Sequence, residues 1–278
     1  MKRRDFIKTI GISCMGSCLN PLGVLAAGTT PLKSNAGYNT TAYPTRFNPL
    51  RMTAPGITSF DNRTYAPEPL LTKYDEKKAD RRALYLQLQR FDENEIDGIL
   101  DEMRDSYESI IPDMPYIGER NFHLRWFIPN SEKLAEYLVL EKYGVTKKEF
   151  SNLHLTQASK ELLATPADQL IAAGKGNFGY MTELLMSASA LWSQFQTYPD
   201  DYIYRFRKGD GVDFDWGLDY TQCSNVLLYE KYDATDLLLP LVCTMDDLAG
   251  SAMRTGYHRT MQLATGDPMC DLRWKLQE

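Results

Sequence analysis

Histidine is scarce in this chain, with three among 278 residues, and cysteine is little commoner, with five. No Cys-x-x-Cys pair or other compact zinc spacing occurs, so neither a structural zinc module nor a thioredoxin-like redox pair has a motif behind it. His123 and His154 lack partners nearby in the sequence and receive no role. Phosphate-loop chemistry is also unsupported. Gly174-Lys175-Gly176 lacks the further glycine and the Ser or Thr that such a loop requires, and it reads as a connection between helices. Positive charge is not in excess: a formal net charge of −6 argues against nucleic acid as a partner. Beyond the first 27 residues every apolar run is short, so no permanent membrane span is expected.

What is present begins with Met1-Lys2-Arg3-Arg4-Asp5-Phe6-Ile7-Lys8, followed by a weakly apolar stretch from Ile10 to Ala27. This pattern predicts a twin-arginine signal peptide over residues 1–27, with cleavage near Ala26 or Ala27. The export machinery is then one partner, and the periplasm or another exported location is the destination. A basic amphipathic N-terminus and lipidation at Cys18 after Met15-Gly16-Ser17 are the alternatives. The leader carries Lys2, Arg3, Arg4 and Lys8 against Asp5, so its removal leaves a more acidic protein. Cys14 and Cys18 leave with it, and Cys223, Cys243 and Cys270 remain. An odd number leaves at least one thiol unpaired. Cargo that folds before export acquires its structure in the reducing cytoplasm, which keeps a functional thiol site compatible with an exported protein.

With 43% apolar and 12% aromatic residues, the chain has enough material for a substantial core. Residues 28–71 are rich in Thr, Pro, Asn, Gly and Tyr without a sustained period and read as an extended arm whose aromatic residues pack along the domain. Residues 72–278 read as a single α+β domain, mainly helical over 72–200. Two amphipathic helices are expected between Tyr74 and Ile111, one from Ser131 to Tyr143 ended by Gly144, and others over Thr146–Leu163, Pro166–Ala173 and Tyr180–Phe195. In the last of these, Leu184, Leu185, Leu191 and Trp192 form an apolar stripe expected to face the core. From 201 to 278 the pattern predicts a ββααββ unit giving an antiparallel sheet with helices on one face. Its strands are Tyr202–Arg207, Val212–Gln222, Tyr257–Leu263 and Met269–Lys275. The intervening helices are Ser224–Lys231 and Thr235–Met253, the second starting or kinking at Pro240.

All the remaining cysteines fall inside that unit, together with the acidic pair Asp246-Asp247. Strand alternation puts Cys223 on a face with Thr221 and Asp219, and Cys270 with Leu272 and Trp274, opposite Asp271 and Arg273. Cys243 precedes Asp246 and Asp247 by one helical turn. Each residue also has a plainer structural role. Cys243 suits packing, Cys223 and Cys270 suit a disulfide, Asp246 suits a solvated helix face, and His258 suits an ordinary strand position.

The segment Cys270-Asp271-Leu272-Arg273, with Gly266 ahead of it, Cys223 closing an aromatic strand, and the Cys243-Thr244-Met245-Asp246 step, resembles the L-2-amino-thiazoline-4-carboxylic acid hydrolase family over about Tyr202 to Trp274. Leu272 stands where that family carries an aromatic residue. The resemblance implies hydrolytic opening of a cyclic amidine at its ring C–N bond to give an S-carbamoyl thiol, with a small-molecule substrate and no cofactor. Such chemistry requires a nucleophile, a group that holds the amidinium and a proton donor for the leaving nitrogen. Under this reading Cys223 supplies the thiolate, Asp246 holds the amidinium and relays protons, and Cys270 completes the pocket. His258 is a candidate acid or base, and one of Arg259 or Arg273 is expected to meet a substrate carboxylate. Two competing readings use the same residues: a non-catalytic module in which Cys223, Cys270, Asp246 and His258 hold a metal or a small ligand, and a thiol–disulfide sensor.

Overall fold

The computed structural model describes residues 63–195 and 198–277. The signal peptide expected over 1–27, and the arm as far as residue 62, lie outside the described residues. The first described element is α1 (Pro67–Asp75), which begins inside the span read as arm. Pro67 suits the first helical turn, where its missing N–H is no loss, and Leu70, Leu71 and Tyr74 supply the buried face. Next come α2 (Lys78–Tyr85) and α3 (Glu95–Ile110). In α3 the buried Ile96, Ile99, Leu100, Met103, Tyr107 and Ile110 recur at three- and four-residue steps. Helix α4 runs from Leu124 to Lys142, longer than expected: Ser131 is interior to it, and Gly144 follows it at φ 77°. A reciprocal Thr146–Glu149 capping box then starts α5 (Lys147–Leu163).

A buried ionic knot ties these helices together. Arg81 Nη2 donates to Glu132 at 2.9 Å and Arg81 Nε donates to Glu136, while the Tyr85 hydroxyl donates to Glu136 and lies 3.3 Å from His154 Nε2. Lys77 adds a second cation on Glu132 at 2.9 Å. Removing Arg81 would leave the buried Glu136 carboxylate without its cation, which makes this arginine the centre of the knot.

Helices α6 (Ala167–Gly176) and α7 (Tyr180–Ser193) lead to the sheet. Gly174 is required where α6 crosses the end of a later helix, because a β-carbon there would sit 2.1 Å from the Met253 carbonyl oxygen. The apolar stripe on α7 departs from expectation: Leu184, Leu185, Leu191 and Trp192 are exposed, Trp192 to 75%. Thr182, Met186 and Ala190 are buried instead. Hydrogen bonds decide the orientation, since Ser193 Oγ donates to the Tyr204 carbonyl at 2.9 Å and accepts from its amide at 3.0 Å, fixing the small polar side of α7 against the sheet.

The sheet has three antiparallel strands in the order β1 (Ile203–Lys208), β2 (Trp216–Gln222), β3 (Cys270–Trp274). The chain is therefore α+β. Trp216, Leu218 and Tyr220 pair across the ladder with Trp274, Leu272 and Cys270, and this face is the apolar one. The Trp216 and Trp274 rings stack at 4.3 Å. On the opposite face Asp219 receives Arg273 Nη2 at 2.7 Å and also the Arg207 guanidinium.

The strand expected over Tyr257–Leu263 is reduced to an isolated bridge, in which His258 and Arg273 exchange amide–carbonyl bonds of 3.0 and 2.9 Å. The ladder stops because the Asp271 carboxylate takes the amides of Thr260 and Met261, at 2.7 and 2.6 Å, that a regular strand would give to backbone carbonyls. Between β2 and this segment stand α8 (Ser224–Lys231), α9 (Thr235–Leu238) and α10 (Thr244–Ala252). The helical run is interrupted at Pro240, as expected: α9 ends at Leu238 and passes into α10 through a π turn over Leu239–Cys243, where the Thr244 hydroxyl donates to the Leu239 carbonyl at 2.8 Å. No helix among the described residues is long and apolar enough to cross a membrane.

Candidate functional site

Cys223 stands at the junction of β2 and α8, in extended backbone conformation at the N-cap position. Neighbouring side chains pin the junction: Gln222 Nε2 donates to the Pro199 and Asp201 carbonyls at 2.8 and 2.7 Å, and Ser224 Oγ donates to the Asp200 carbonyl at 2.6 Å. The strand ends at Gln222, so the alternation that grouped Cys223 with Thr221 and Asp219 no longer governs it. Its electrostatic neighbours are Cys270 and Asp246, and Cys270 lies on the apolar face, away from Asp219. Burial, reinforced by Cys270, pushes the Cys223 thiol up to about 12, against the opposing pull of the Val226 and Asn225 amides.

Cys243 closes the π turn, and its backbone carbonyl accepts from Arg259 Nη2 at 2.7 Å. Burial raises its thiol, Arg259 pulls it down, and Asp246 with the other two cysteines raises it further. Cys270 opens β3, and its sulfur accepts the Leu263 amide at 3.2 Å. Burial raises that thiol too, opposed by the Leu263 amide and Arg259 and assisted by Asp246 and Asp271. All three cysteines are half-buried free thiols.

Asp246 and Asp247 project from the first turn of α10 toward Arg259, whose side chain is 6% exposed. Asp247 closes on Nη2 at 2.9 Å, and Asp246 lies 3.8 Å from Nη1. Burial thus raises all three thiols, and beside them Arg259 is held by Asp246, Asp247 and the Cys243 carbonyl. Cys243, read from the sequence as a packing residue, belongs to this group. Its sequence signals were the one-turn offset from Asp246 and the Cys243-Thr244-Met245-Asp246 step of the resemblance, and the π turn that presents it was not legible.

The other candidates stand elsewhere. Arg273 lies on the opposite face of the sheet, engaged with Asp219 and with the Leu272 carbonyl at 3.0 Å. Gly217 makes room for it, since a β-carbon there would come within 2.7 Å of the Arg273 side chain. His258 is exposed, with Nδ1 3.4 Å from the Gly256 carbonyl. Of the two arginines considered for the site, Arg259 is the one beside the thiols. Asp271 is spent on the Thr260 hydroxyl and the two amides that end the ladder. Among the described residues no three His, Cys, Asp or Glu side chains converge as a metal ion would require. A cleft of about 370 Å³ opens between Tyr116, Asn121 and Tyr198, and its lining includes none of the thiols. No family model, curated protein or solved structure matches the chain.

Proposed function

We propose that the protein is a cysteine-dependent hydrolase that opens the ring C–N bond of a cyclic amidine, acting after export by the twin-arginine machinery. The observation that carries this reading is that β3 brings Cys270 opposite Tyr220, three residues before Cys223, while Arg259 ties the Cys243 carbonyl to Asp246 and Asp247. The resemblance of Tyr202–Trp274 to the aminothiazoline-carboxylate hydrolases supplies the reaction class, and the N-terminal Arg3-Arg4 pattern supplies the route of export.

The chemistry follows from the protonation states. Burial holds the Cys223 thiol well above its ordinary value, so attack on the amidine carbon requires that its proton be taken up, and Asp246 is the carboxylate assigned to receive it. A cationic amidinium beside the sulfur favours the thiolate by direct charge attraction and thereby activates the nucleophile only when substrate is bound. As the sulfur–carbon bond forms and the ring C–N bond breaks, Asp246 returns the proton to the departing ring nitrogen. Water then adds to the same carbon and displaces Cys223. The net change is addition of one water, and the product is an amine bearing an S-carbamoyl thiol.

A non-catalytic small-ligand module is the second reading, and the raised thiols favour it, because a resting thiol is a weak nucleophile. A panel of cyclic amidines offered to the wild-type protein and to Cys223→Ala separates the two. The hydrolase reading expects ring-opened product from the wild type and a loss of at least about a hundredfold in the folded variant. Equal turnover by both proteins would reject the assigned nucleophile, and binding without turnover by either would favour the module.

A further inference from the structure

Helix α7 turns a broad apolar face to solvent. Tyr180, Met181, Leu184, Leu185, Leu191 and Trp192 are exposed, from 37% at Leu185 to 76% at Tyr180. At one turn per 3.6 residues they fall, with Ser187 and Ala188, on one side of the helix, and the buried Thr182, Met186 and Ala190 fall on the other. The face carries no charge, because the one charged side chain of α7, Glu183, lies beyond its edge and is paired with Lys208. Together the six large side chains expose on the order of 700 Å². That is more than the roughly 300–600 Å² of the largest apolar patch on a typical monomer, and close to the ~800 Å² that one partner gives a standard interface. Within the face Met181, Leu184, Ala188 and Leu191 recur at steps of three, four and three, the seam of a paired helix. The Ser193 bonds to Tyr204 already hold α7 against the sheet, so a partner meets a preformed helix and association carries little ordering cost.

We infer that the occupant of this face is a second copy of the chain, the two α7 helices packing antiparallel about a two-fold axis. In that arrangement Leu184 faces Ala188 of the other copy, large against small, Met181 faces its Leu191, and the Trp192 ring reaches its Tyr180. A parallel pair would set Ala188 against Ala188 and leave a gap at the centre of the seam. An uncharged seam meets its own copy without like-charge repulsion, and the two-fold axis buries the face of both chains at once. A lipid surface fits less well, since the face offers no Lys or Arg to headgroups and the chain carries a net charge of −6. With one helix pair forming the contact, the dissociation constant is on the order of micromolar, and the chain is monomeric well below that concentration. The inference is independent of the hydrolase reading.

Sedimentation velocity of the full chain, from about 0.1 to about 200 μM, should show the mean mass rising from one chain toward two. Leu184→Asp and Leu191→Asp replace exposed side chains, so both should keep the circular dichroism of the wild type while raising the dissociation constant by about a hundredfold or more. Hydroxyl-radical footprinting of the wild type at the two ends of the range should show Met181 and Trp192 protected at the high one. Should either variant unfold, the footprint decides: unchanged labelling of Met181 and Trp192 while the mass doubles would overturn the inference. A single-chain mass throughout would overturn it, as expected if residues 28–62 of the same chain cover the face. A dimer that both folded variants leave intact would overturn it as well. So would binding of the wild type to phosphatidylcholine vesicles, lost in the variants, with no dimer in solution.

Discussion

His123 and Cys223 illustrate how the same force, burial, acts on groups of opposite charge type. Burial, helped by the charge of Arg125, lowers the His123 imidazole to about 3, and its ring nitrogens face Asn121 Oδ1 at 3.1 Å and the Tyr220 hydroxyl at 3.3 Å. Burial also raises Asp201 to about 7 against the pull of the Tyr202 amide and the Asn121 side chain. The two have opposite consequences for stability. The His123 contribution is complete above its unfolded value near 6.5 and is lost as pH falls toward 3, while the Asp201 contribution is complete below about 3.8 and is lost as pH rises through 7. Nuclear magnetic resonance of the His123 ring should therefore show a neutral imidazole down to about pH 4, and a midpoint near 6 would contradict its placement. For Cys223 the raised value means stability that is whole below about 9 and lost as pH rises toward 12. Alkylation of the native protein should accordingly be slow at neutral pH and accelerate only in alkali, and rapid neutral labelling of Cys223 would show that its thiol is not held as described. Neither value was legible in the sequence. For His123 the local partner Asn121 was passed over in the sequence, and the other, Tyr220, meets it from 97 residues away.

At the scale of elements, the legible features were those set by local rules. The Thr146–Glu149 capping box, the left-handed Gly144 and the bounds of α8 follow from residues within a few positions of each other. Departures arose where distant partners decided. The stripe on α7 was read as core because its spacing is amphipathic, but the Ser193 bonds to Tyr204 turn the polar side inward. Leu191→Ser and Trp192→Ser should consequently change stability by less than about 0.5 kcal/mol in chemical denaturation, where a core position would lose several times more. Gly174→Ala is the contrasting case. Its new β-carbon would overlap the Met253 carbonyl, so a loss of about 1–3 kcal/mol is expected, and an unchanged midpoint would mean that α6 and the end of α10 are not in contact. The missing fourth strand has the same kind of origin. Alternation over Tyr257–Leu263 is real, but the Asp271 side chain captures the amides that the ladder needed.

Across the whole molecule, a helical half held by the Arg81–Glu132–Glu136 knot carries a small sheet, and the thiols collect where the sheet hands over to α8, α9 and α10. Sequence order alone kept Cys223, Cys243 and Cys270 apart by 20 and 27 positions, and the return of β3 to pair with β2 sets Cys270 opposite Tyr220, three residues before Cys223. Beside the thiols, Asp246 and Asp247 of α10 both face Arg259. The central claim, that Cys223 forms a bond to the amidine carbon, is tested most directly by acid-quenching the protein during turnover of 2-amino-2-thiazoline and measuring its intact and peptide masses. The account predicts a ring-opened adduct on Cys223 of the wild type and none on Cys223→Ala. Turnover that proceeds in the folded Cys223→Ala protein, or an adduct confined to another residue, would contradict it.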